Sequence, residues 1–457
     1  MEPSTDGDRT APAADSRGGG RLPLLDVLRG VAILGTLATN IWIFAAPGAE
    51  WAVLSSTTGG APESAVEGAG AAAGAALEAA LRFAANGKFL ALLTLLFGVG
   101  LAIQFRSAAR RGSRWPGRYK WRALLLFAEG TLHFVLVFAW DVLMGYAVTA
   151  LLVAWLLTRS RRAQRVALWV SAGAHVLLMA LLTAGLMALE RMAPPQRQGD
   201  TDAAAEVVRL YAEGGYLEQV AFRLENLPML RIEPVLSFAL LVFLFLLGVR
   251  LFRAGAFAPD AAGRAIRTRL LLWGLGVGLP LNLATTLAGG SLFLVDRYIA
   301  APVVALGLIG LVGRLMDAMT AHGRAPGIVT TAFSSLGRTA LSGYVLQNVL
   351  AMLACYGIGL GLAARLEHTG PWWVMGLWAA ICLVLLTGST LWLRRFDNGP
   401  LEAGQKWVLA RIPEKPARGG GAATGSAPGA GSALGAGSAP GAAPEGGPAA
   451  RTVPGSR

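Results

Sequence analysis

Apolar runs, each long enough to form one membrane-spanning helix, recur along this chain of 457 residues. About 20 helical residues cross the roughly 30 Å of hydrocarbon in a bilayer. Only 15% of the residues are charged, against about 25% in soluble domains. The pattern predicts an all-α, polytopic integral membrane bundle of about ten transmembrane helices. The predicted spans are residues 24–46, 88–105, 122–139, 142–158, 166–189, 234–252, 269–288, 292–313, 339–362 and 372–393.

Basic residues are concentrated in alternate loops. Segments 106–122, 159–165 and 250–269 are rich in arginine. The charged residues of segment 47–87 are mostly glutamates, and segment 190–233 mixes acids with fewer arginines. Loops rich in lysine and arginine stay in the cytoplasm. We therefore predict that both termini are cytoplasmic, that 47–87 and 190–233 are outer segments, and that the protein is a multi-pass protein of the cytoplasmic membrane.

The two ends of the chain differ in composition from the membrane part. Residues 1–20 are polar and Gly-rich, with no evident cleavable signal peptide, and residues 414–457 lack the apolar side chains that a core needs. We predict disordered cytoplasmic ends there and a transmembrane helical domain over 21–413. The net charge of +13 arises from arginines in short loops, so the distribution argues against nucleic-acid binding.

One apolar stretch, from Ala123 to Thr158, contains no lysine or arginine. As a single helix it would be about 54 Å long, which is too long for one crossing. Arg122 and Arg159 flank it with the same sign of charge, so we predict a helical hairpin. The turn is predicted at 139–145, on the outer side.

His133 and Asp141 lie in this hairpin and are the candidate catalytic pair. A neutral imidazole can act as a general base near neutral pH or carry an acyl group, and a carboxylate folded back by the turn can orient it. The alternatives are a packing hydrogen bond for His133 and an N-cap for Asp141. Tyr146, one turn further on, is predicted to donate to either group.

Polar residues also follow one face of the first predicted span. Asp26 and Arg29 are spaced i, i+3 at the cytoplasmic rim, where Arg29 can receive a phosphate or form an ordinary ion pair. Asn40 returns to nearly the same face, three turns later. Lys88 opens the second span and either snorkels to headgroups or lies at the outer mouth near His133.

A second polar face is predicted in "SSLGRTALSGYVLQNVL". Arg338 lies at the cytoplasmic rim, and Tyr344, Gln347 and Asn348 follow within three turns. Arg338 and Gln347 are candidate ligand-binding residues, with helix packing as the alternative. Cys355 and Cys382 lie in apolar runs, and neither the cysteines nor the histidines have metal-site spacing. We predict no metal and no tightly bound cofactor.

Five blocks of the chain resemble a known family: "RLPLLDVLRGVAILGTLATN", "GKFLALLTLLFGVG", "GTLHFVLVFAWDVLMGYAVTALLVA", "GRTALSGYVLQNVLAMLACYGIGLGL" and "LRRFDNGPLEAGQKWVL". In this order, over residues 21–410, they resemble the YeiB-like bacterial membrane proteins of domain of unknown function 418. The opening block is also similar to transmembrane acyltransferases of the heparan-α-glucosaminide N-acetyltransferase type. That similarity implies acyl-CoA as co-substrate, His133 at the chemistry, Asp141 as its partner and Arg29 at the rim.

Three functions remain open from the sequence. The first is an acyltransferase that moves an acyl group from cytoplasmic acyl-CoA to a small-molecule or glycan acceptor on the outer side. The second is a transporter of a small solute or lipid, which uses the same polar interior. The third is a non-catalytic membrane assembly partner. The sequence does not define the oligomeric state.

Overall fold

A computed structural model of the chain describes residues 22–55, 69–192, 198–322 and 327–413. The part of the chain in these ranges is all-helical and contains no strand, so the predicted all-α class is confirmed there. The predicted disordered ends, 1–20 and 414–457, lie outside the described residues.

Twenty-one α-helices are present in the described ranges. The first eleven are α1 (Pro23–Ala45), α2 (Ala49–Ser55), α3 (Ala69–Ala85), α4 (Lys88–Arg110), α5 (Tyr119–Leu136), α6 (Leu143–Leu156), α7 (Arg161–Met192), α8 (Gln198–Glu213), α9 (Tyr216–Glu225), α10 (Leu227–Leu230) and α11 (Ile232–Leu236). The others are α12 (Phe238–Arg253), α13 (Ala261–Trp273), α14 (Leu279–Ala288), α15 (Phe293–Val295), α16 (Ala301–Ala321), α17 (Ile328–Arg338), α18 (Ala340–Cys355), α19 (Leu362–Arg365), α20 (Trp372–Arg395) and α21 (Pro400–Ala410).

Six helical stretches among the described residues are long and apolar enough to cross a membrane. They are Pro23–Ala45, Ala72–Arg110, Arg161–Met192, Ala261–Ala288, Gly290–Ala321 and Trp372–Arg395. Two shorter apolar helices, α6 and α18, accompany them. Large apolar side chains of α7, including Trp169 and Leu181, are exposed on the bundle surface, as expected of a face that contacts lipid.

The helices alternate in direction, so the loops collect at two ends of the bundle. At one end, Glu50 after α1 meets the α5–α6 turn and α8–α9, while Arg297 meets Glu233 before α12. At the opposite end, the start of α5 meets the end of α21 through Arg118 and the carbonyl of Ile412. Residues 198–230 belong to the first end and form three helices, because Gly214 and Gly215 separate α8 from α9, and Asn226 separates α9 from α10.

Glycines allow two pairs of core helices to approach closely. A Cβ atom on Gly98 of α4 would overlap the backbone of Phe245 on α12, and a Cβ on Gly248 would overlap the carbonyl of Leu95. The α1–α17 pair has the same reciprocal arrangement. Small residues at helix crossings are typical of membrane bundles, where packing replaces the hydrophobic driving force.

Replacing Gly98 with leucine should therefore destabilise the bundle. The obstructing atoms belong to the α12 backbone and cannot rotate away, so we expect a loss of about 1–3 kcal/mol of unfolding free energy, typical of overpacking. Denaturation of purified protein in mixed SDS micelles measures this loss. Gly173→Leu on α7 is the matched control, because a Cβ there meets nothing within 4 Å. Equal effects of the two substitutions would contradict the packing argument.

Candidate active site: a buried histidine and aspartate

The α5–α6 turn brings His133 and Asp141 together. The turn occupies residues 137–142, in agreement with the turn predicted at 139–145. Asp141 Oδ2 accepts the backbone N–H of Leu143 at 2.9 Å and that of Met144 at 3.4 Å, so its side chain caps the first turn of α6. Its other oxygen, Oδ1, lies 3.1 Å from His133 Nδ1. Asp141 therefore combines the capping and the histidine-orienting geometry.

The pair is almost completely shielded from solvent. His133 is 3% exposed and Asp141 is 1% exposed. Tyr344 on α18 donates its hydroxyl to Asp141 Oδ1 at 3.3 Å, and its ring lies beside the imidazole. The carboxylate thus receives four hydrogen bonds, which replace the hydration that burial removes.

A chain of hydrogen bonds fixes the tautomer of His133. Because Asp141 is surrounded by donors, the imidazole carries its proton on Nδ1 and donates it to Oδ1. The lone pair on Nε2 then accepts from Asn348 Nδ2 at 3.2 Å. Asn40 of α1 donates to Asn348 Oδ1 at 3.2 Å, which holds the amide in this orientation. The candidate base atom, Nε2, is therefore oriented as a hydrogen-bond acceptor.

A seam of polar residues between α1 and α18 leads from this site toward Arg29. Gln347, fully buried, donates to Thr36 Oγ1 at 3.3 Å, and its own Oε1 has no partner among the described residues. Arg29 lies eleven residues before Asn40, about 16 Å away along the helix axis. Its guanidinium, 29% exposed, lies 3.4 Å from Asp26 and occupies the space that Gly100 leaves open.

Arg338 lies near the same end of α1. A Cβ on its neighbour Gly337 would overlap the carbonyl of Asp26, so α17 packs directly against the first turn of α1. Arg338 itself donates to the carbonyl of Asp397 at 3.3 Å. The structure therefore brings Asp26, Arg29 and Arg338 to one end of the bundle, and His133, Asp141 and Asn40 together deeper in it.

A cavity of about 40 Å³ adjoins Asp141 between α4, α6 and α12. Its wall is mainly apolar, with Leu90, Leu241 and Leu244 among the lining residues. Tyr146 lines it too, but the sequence-based expectation for its hydroxyl is wrong. The hydroxyl bonds Thr94 Oγ1 at 2.7 Å and the carbonyl of Leu90, because α6 begins at Leu143 and turns Tyr146 toward α4.

Lys88 also lies in an environment that neither interpretation of the sequence predicted. It is 3% exposed, so it does not reach headgroups. Its ammonium donates to the carbonyl of Phe83 and lies over the Phe83 ring. That carbonyl is in the last turn of α3, where a cation is favoured by the helix dipole. No contact joins Lys88 to His133 in the described part of the chain.

A second buried network lies next to the turn and was not predicted from the sequence. Glu50 Oε2 accepts from Arg223 Nε at 2.9 Å and from the hydroxyl of Tyr211 at 2.6 Å. Glu50 Oε1 accepts the N–H of Ala139 at 3.0 Å, within the turn. Glu50 and Arg223 are both 0% exposed. In the sequence, Glu50 was only one of several acids in an outer loop.

Burial and the neighbouring carboxylate also set the ionisation of this network. Burial raises the pKa of Tyr211 well above its usual value, and the negative charge of Glu50 acts in the same direction. Burial alone would lower the pKa of Arg223, but Glu50 raises it above the ordinary value. Tyr211 therefore stays a hydrogen-bond donor, and Arg223 stays a cation.

The α8–α11 region terminates the helix that carries His133. The last carbonyls of a helix lack intrahelical partners. Arg223 donates to the carbonyls of Val135 at 3.2 Å and Val137 at 3.3 Å. Tyr216 donates to the carbonyl of Leu136 at 2.8 Å. These donors come from α9, which is distant in the sequence from the hairpin that they stabilise.

Asp296 and Arg297 both have side-chain partners on other helices. Asp296 Oδ1 accepts from Asn282, Thr285 and Thr286 of α14. Arg297 donates to Glu233 at 3.0 Å. Among the described residues, no group of three or more His, Cys, Asp or Glu side chains has a metal-binding arrangement.

Comparison with known proteins relates most of the chain to proteins described as uncharacterized. Residues 251–411 match the family model described as "Protein of unknown function (DUF418)". Over 393 residues the chain is 25% identical to the uncharacterized protein YxaH of Bacillus subtilis (strain 168), covering 84% of this chain and 92% of that protein. It is 28% identical over 393 residues to the uncharacterized protein YeiB of Escherichia coli (strain K12), covering 83% and 93%. No solved structure matches the chain.

The fold and the site define a multi-pass membrane protein whose helical core encloses a hydrogen-bonded histidine and aspartate. Tyr344 and Asn348, which bind that pair, lie within the matched region 251–411, whereas the pair itself precedes it. The chain is thus similar to YeiB and YxaH over most of its length, and its residues 251–411 match the DUF418 family model.

Proposed function

We propose that this protein is a membrane-bound acyltransferase that uses cytoplasmic acyl-CoA and a hydroxyl or amine acceptor on the outer side. The observation that carries the proposal is the orientation of His133. Its Nδ1 is bonded to Asp141, and the lone pair of its Nε2 is oriented toward Asn348 Nδ2. This is the arrangement that a general base for acyl transfer requires.

The reaction needs one proton relay. The acceptor oxygen or nitrogen forms a bond to the thioester carbonyl carbon, and the carbon–sulfur bond breaks. His133 Nε2 takes the proton of the acceptor and returns it to the thiolate of CoA, while Asp141 stabilises the imidazolium. In the present arrangement Asn348 occupies Nε2, so the acceptor replaces this amide when it binds.

Acyl-CoA would approach from the end of the bundle that carries Arg29 and Arg338. Guanidinium groups bind phosphates through charge-assisted, often bidentate, hydrogen bonds. The polar seam at Thr36 and Gln347 then gives a course for the pantetheine arm toward His133. The unpartnered Oε1 of Gln347 supports this course, because a buried acceptor without a donor is unusual.

The proposal includes a topology of ten spans with both termini in the cytoplasm of the cell membrane. Each of the ten apolar segments overlaps a helix or consecutive helices, which supports this topology. The arginine-rich loops 106–122, 159–165 and 250–269 all lie at the end of the bundle that carries Arg29. The positive-inside rule assigns this end to the cytoplasm. Residues 47–87 and 190–233 would then face outward.

Transport of a small solute or lipid is the second candidate, supported by interrupted helices. A π-helical segment at Gly274–Gly278 joins α13 to α14, and a second one at Asp296–Ala300 joins α15 to α16. Such interruptions expose backbone groups near ligands in transporters and mark functional sites in other helices. Substrate uptake into proteoliposomes that depends on Asp141 would favour this function over acyl transfer.

Labelled acetyl-CoA tests the acyltransferase proposal. We expect purified wild-type protein in detergent to bind it and to release free CoA when a suitable acceptor is present. Absence of detectable CoA binding at millimolar ligand would rule out the proposal.

Replacing Arg29 with glutamine should weaken acetyl-CoA binding about tenfold, as expected for the loss of one charge-assisted phosphate contact. Equilibrium binding of the labelled ligand measures the change. Arg162→Gln, an exposed arginine in the first turn of α7, is the control and should leave the affinity unchanged. Equal losses in both variants would point to nonspecific electrostatics.

A further inference from the structure

Arg231, between α10 and α11, is partly buried and differs from three other buried or partly buried arginines of the described chain. Arg223 binds Glu50 at 2.9 Å, Arg267 binds Asp317 at 2.8 Å, and Arg297 binds Glu233 at 3.0 Å. Arg231 has one bond instead, from Nη1 to the backbone carbonyl of Asp141 at 2.7 Å. Its Nε and Nη2 atoms are shielded from solvent and have no hydrogen-bond partner in the described ranges.

The carboxylates close to Arg231 are already fully engaged. Asp141 Oδ1 accepts from His133 and Tyr344, and Oδ2 accepts from the start of α6. Glu50 is bonded to Arg223, Tyr211 and Ala139. Neither carboxylate is hydrogen-bonded to Arg231, and burial lowers the pKa of Arg231 while Asp141 opposes that effect only in part. Shielded guanidinium donors without an acceptor are costly.

The geometry of the unpartnered edge indicates the ligand. Nε–H and Nη2–H are parallel donors on one side of the planar guanidinium, the side that binds carboxylate or phosphate bidentately. The plane is held over the ring of Phe134, with the guanidinium carbon 4.0 Å from the ring centroid. Arg231 Nη1 bonds the carbonyl of Asp141, whose side chain bonds His133, so an anion on this edge lies near the His133–Asp141 pair.

We propose that the Nε–Nη2 edge of Arg231 binds a carboxylate or phosphate group of the acceptor, which makes the acceptor of the transfer reaction an anion. The identification of the bound anion as the acceptor rests on the proposed function, whereas the anion site itself does not. The anchored group would hold the nucleophilic hydroxyl or amine against His133 Nε2. Bond formation to the thioester carbonyl and transfer of the proton to Nε2 then proceed as described above.

Binding of simple anions tests the site without any acyl transfer. The full-length protein is purified in a maltoside detergent, which carries neither phosphate nor carboxylate, and is titrated with inorganic phosphate, acetate or neutral acetamide. We expect phosphate or acetate, but not acetamide, to raise the unfolding temperature of the wild type, because ligands of the native state stabilise it. If neither anion binds the wild type, the proposal is overturned.

Three variants locate the binding. Arg231→Gln should weaken anion binding about tenfold or more. Arg231→Lys should also lose most of the affinity, because lysine keeps the charge but lacks the two parallel N–H donors of the guanidinium. Arg209→Gln is the control, since Arg209 is an exposed arginine of α8 at the same end. Unfolding temperatures without anion show that each variant is folded. Undiminished binding by folded Arg231→Gln would overturn the assignment.

Two further comparisons identify the source of the anion and separate this proposal from the proposed function. Competition by phosphatidylglycerol added to the micelles indicates a lipid phosphate, and binding of acetate alone indicates a soluble carboxylate. Anion binding without any CoA binding would leave the site standing and defeat the acyltransferase. Transfer to neutral acceptors as efficient as transfer to anionic ones would leave the acyltransferase standing and defeat the anionic acceptor.

Discussion

Replacement of His133 by glutamine should reduce acyl transfer by about 10²–10⁴-fold, the usual contribution of a positioned general base. Glutamine keeps a hydrogen-bonding side chain near Asp141 and Asn348 but cannot take a proton. If His133 instead carries the acyl group, the covalent intermediate is lost as well. Release of CoA from labelled acetyl-CoA measures the rate, and label retained on the denatured protein reports the intermediate.

The control for this substitution is His322→Gln, which changes an exposed histidine at the end of α16. It should transfer at the wild-type rate. Binding of acetyl-CoA should persist in His133→Gln, because the proposed phosphate contacts lie about 16 Å along α1 from Asn40. A folded His133→Gln protein with normal transfer would remove His133 from the chemistry.

Replacement of Glu50 by alanine should cause the largest loss of stability, about 3–5 kcal/mol of unfolding free energy. The substitution leaves the Arg223 guanidinium buried without its carboxylate, and it also removes acceptors from Tyr211 and Ala139. Breaking one partner of a buried pair has a cost of this size. Denaturation in mixed SDS micelles measures the free energy.

A double-mutant cycle separates charge isolation from lost packing. The double variant Glu50→Ala, Arg223→Met should be less destabilised than the sum of the single variants, because no unpaired charge remains. The control is the pair Glu78–Arg82, also joined by a short bond but with Arg82 44% exposed. Glu78→Ala should cost less than about 1 kcal/mol. Strict additivity at Glu50 and Arg223 would show that their pairing contributes little.

The features that could be predicted from the sequence depend on local patterns. Hydropathy and the spacing of charges located the helices, since burial in lipid imposes long apolar runs. The absence of lysine and arginine between Ala123 and Thr158 required a turn, and the turn brings His133 to Asp141. The face that contains Asn40 followed from the helical repeat, and Asn40 does reach the site through Asn348.

The features that could not be predicted depend on which helices pack together. Glu50 and Arg223 are 173 residues apart, and no local pattern distinguishes them from other charged residues of the outer segments. The predicted partners of the Tyr146 hydroxyl were wrong, because the direction of this side chain depends on where α6 starts. Lys88 binds the end of α3 because that helix ends just before α4 begins. In each case the partner is chosen by tertiary contact.

The hydrogen bonds between α9 and the end of α5 link access to reactivity. Three consecutive carbonyls, those of Val135, Leu136 and Val137, depend on Arg223 and Tyr216, and a fourth, that of Asp141, depends on Arg231. Any displacement of this segment that admits an acceptor from that side also frees the end of the helix that carries His133. Under the proposed function, entry of the acceptor and the orientation of His133 would then depend on the same hydrogen bonds.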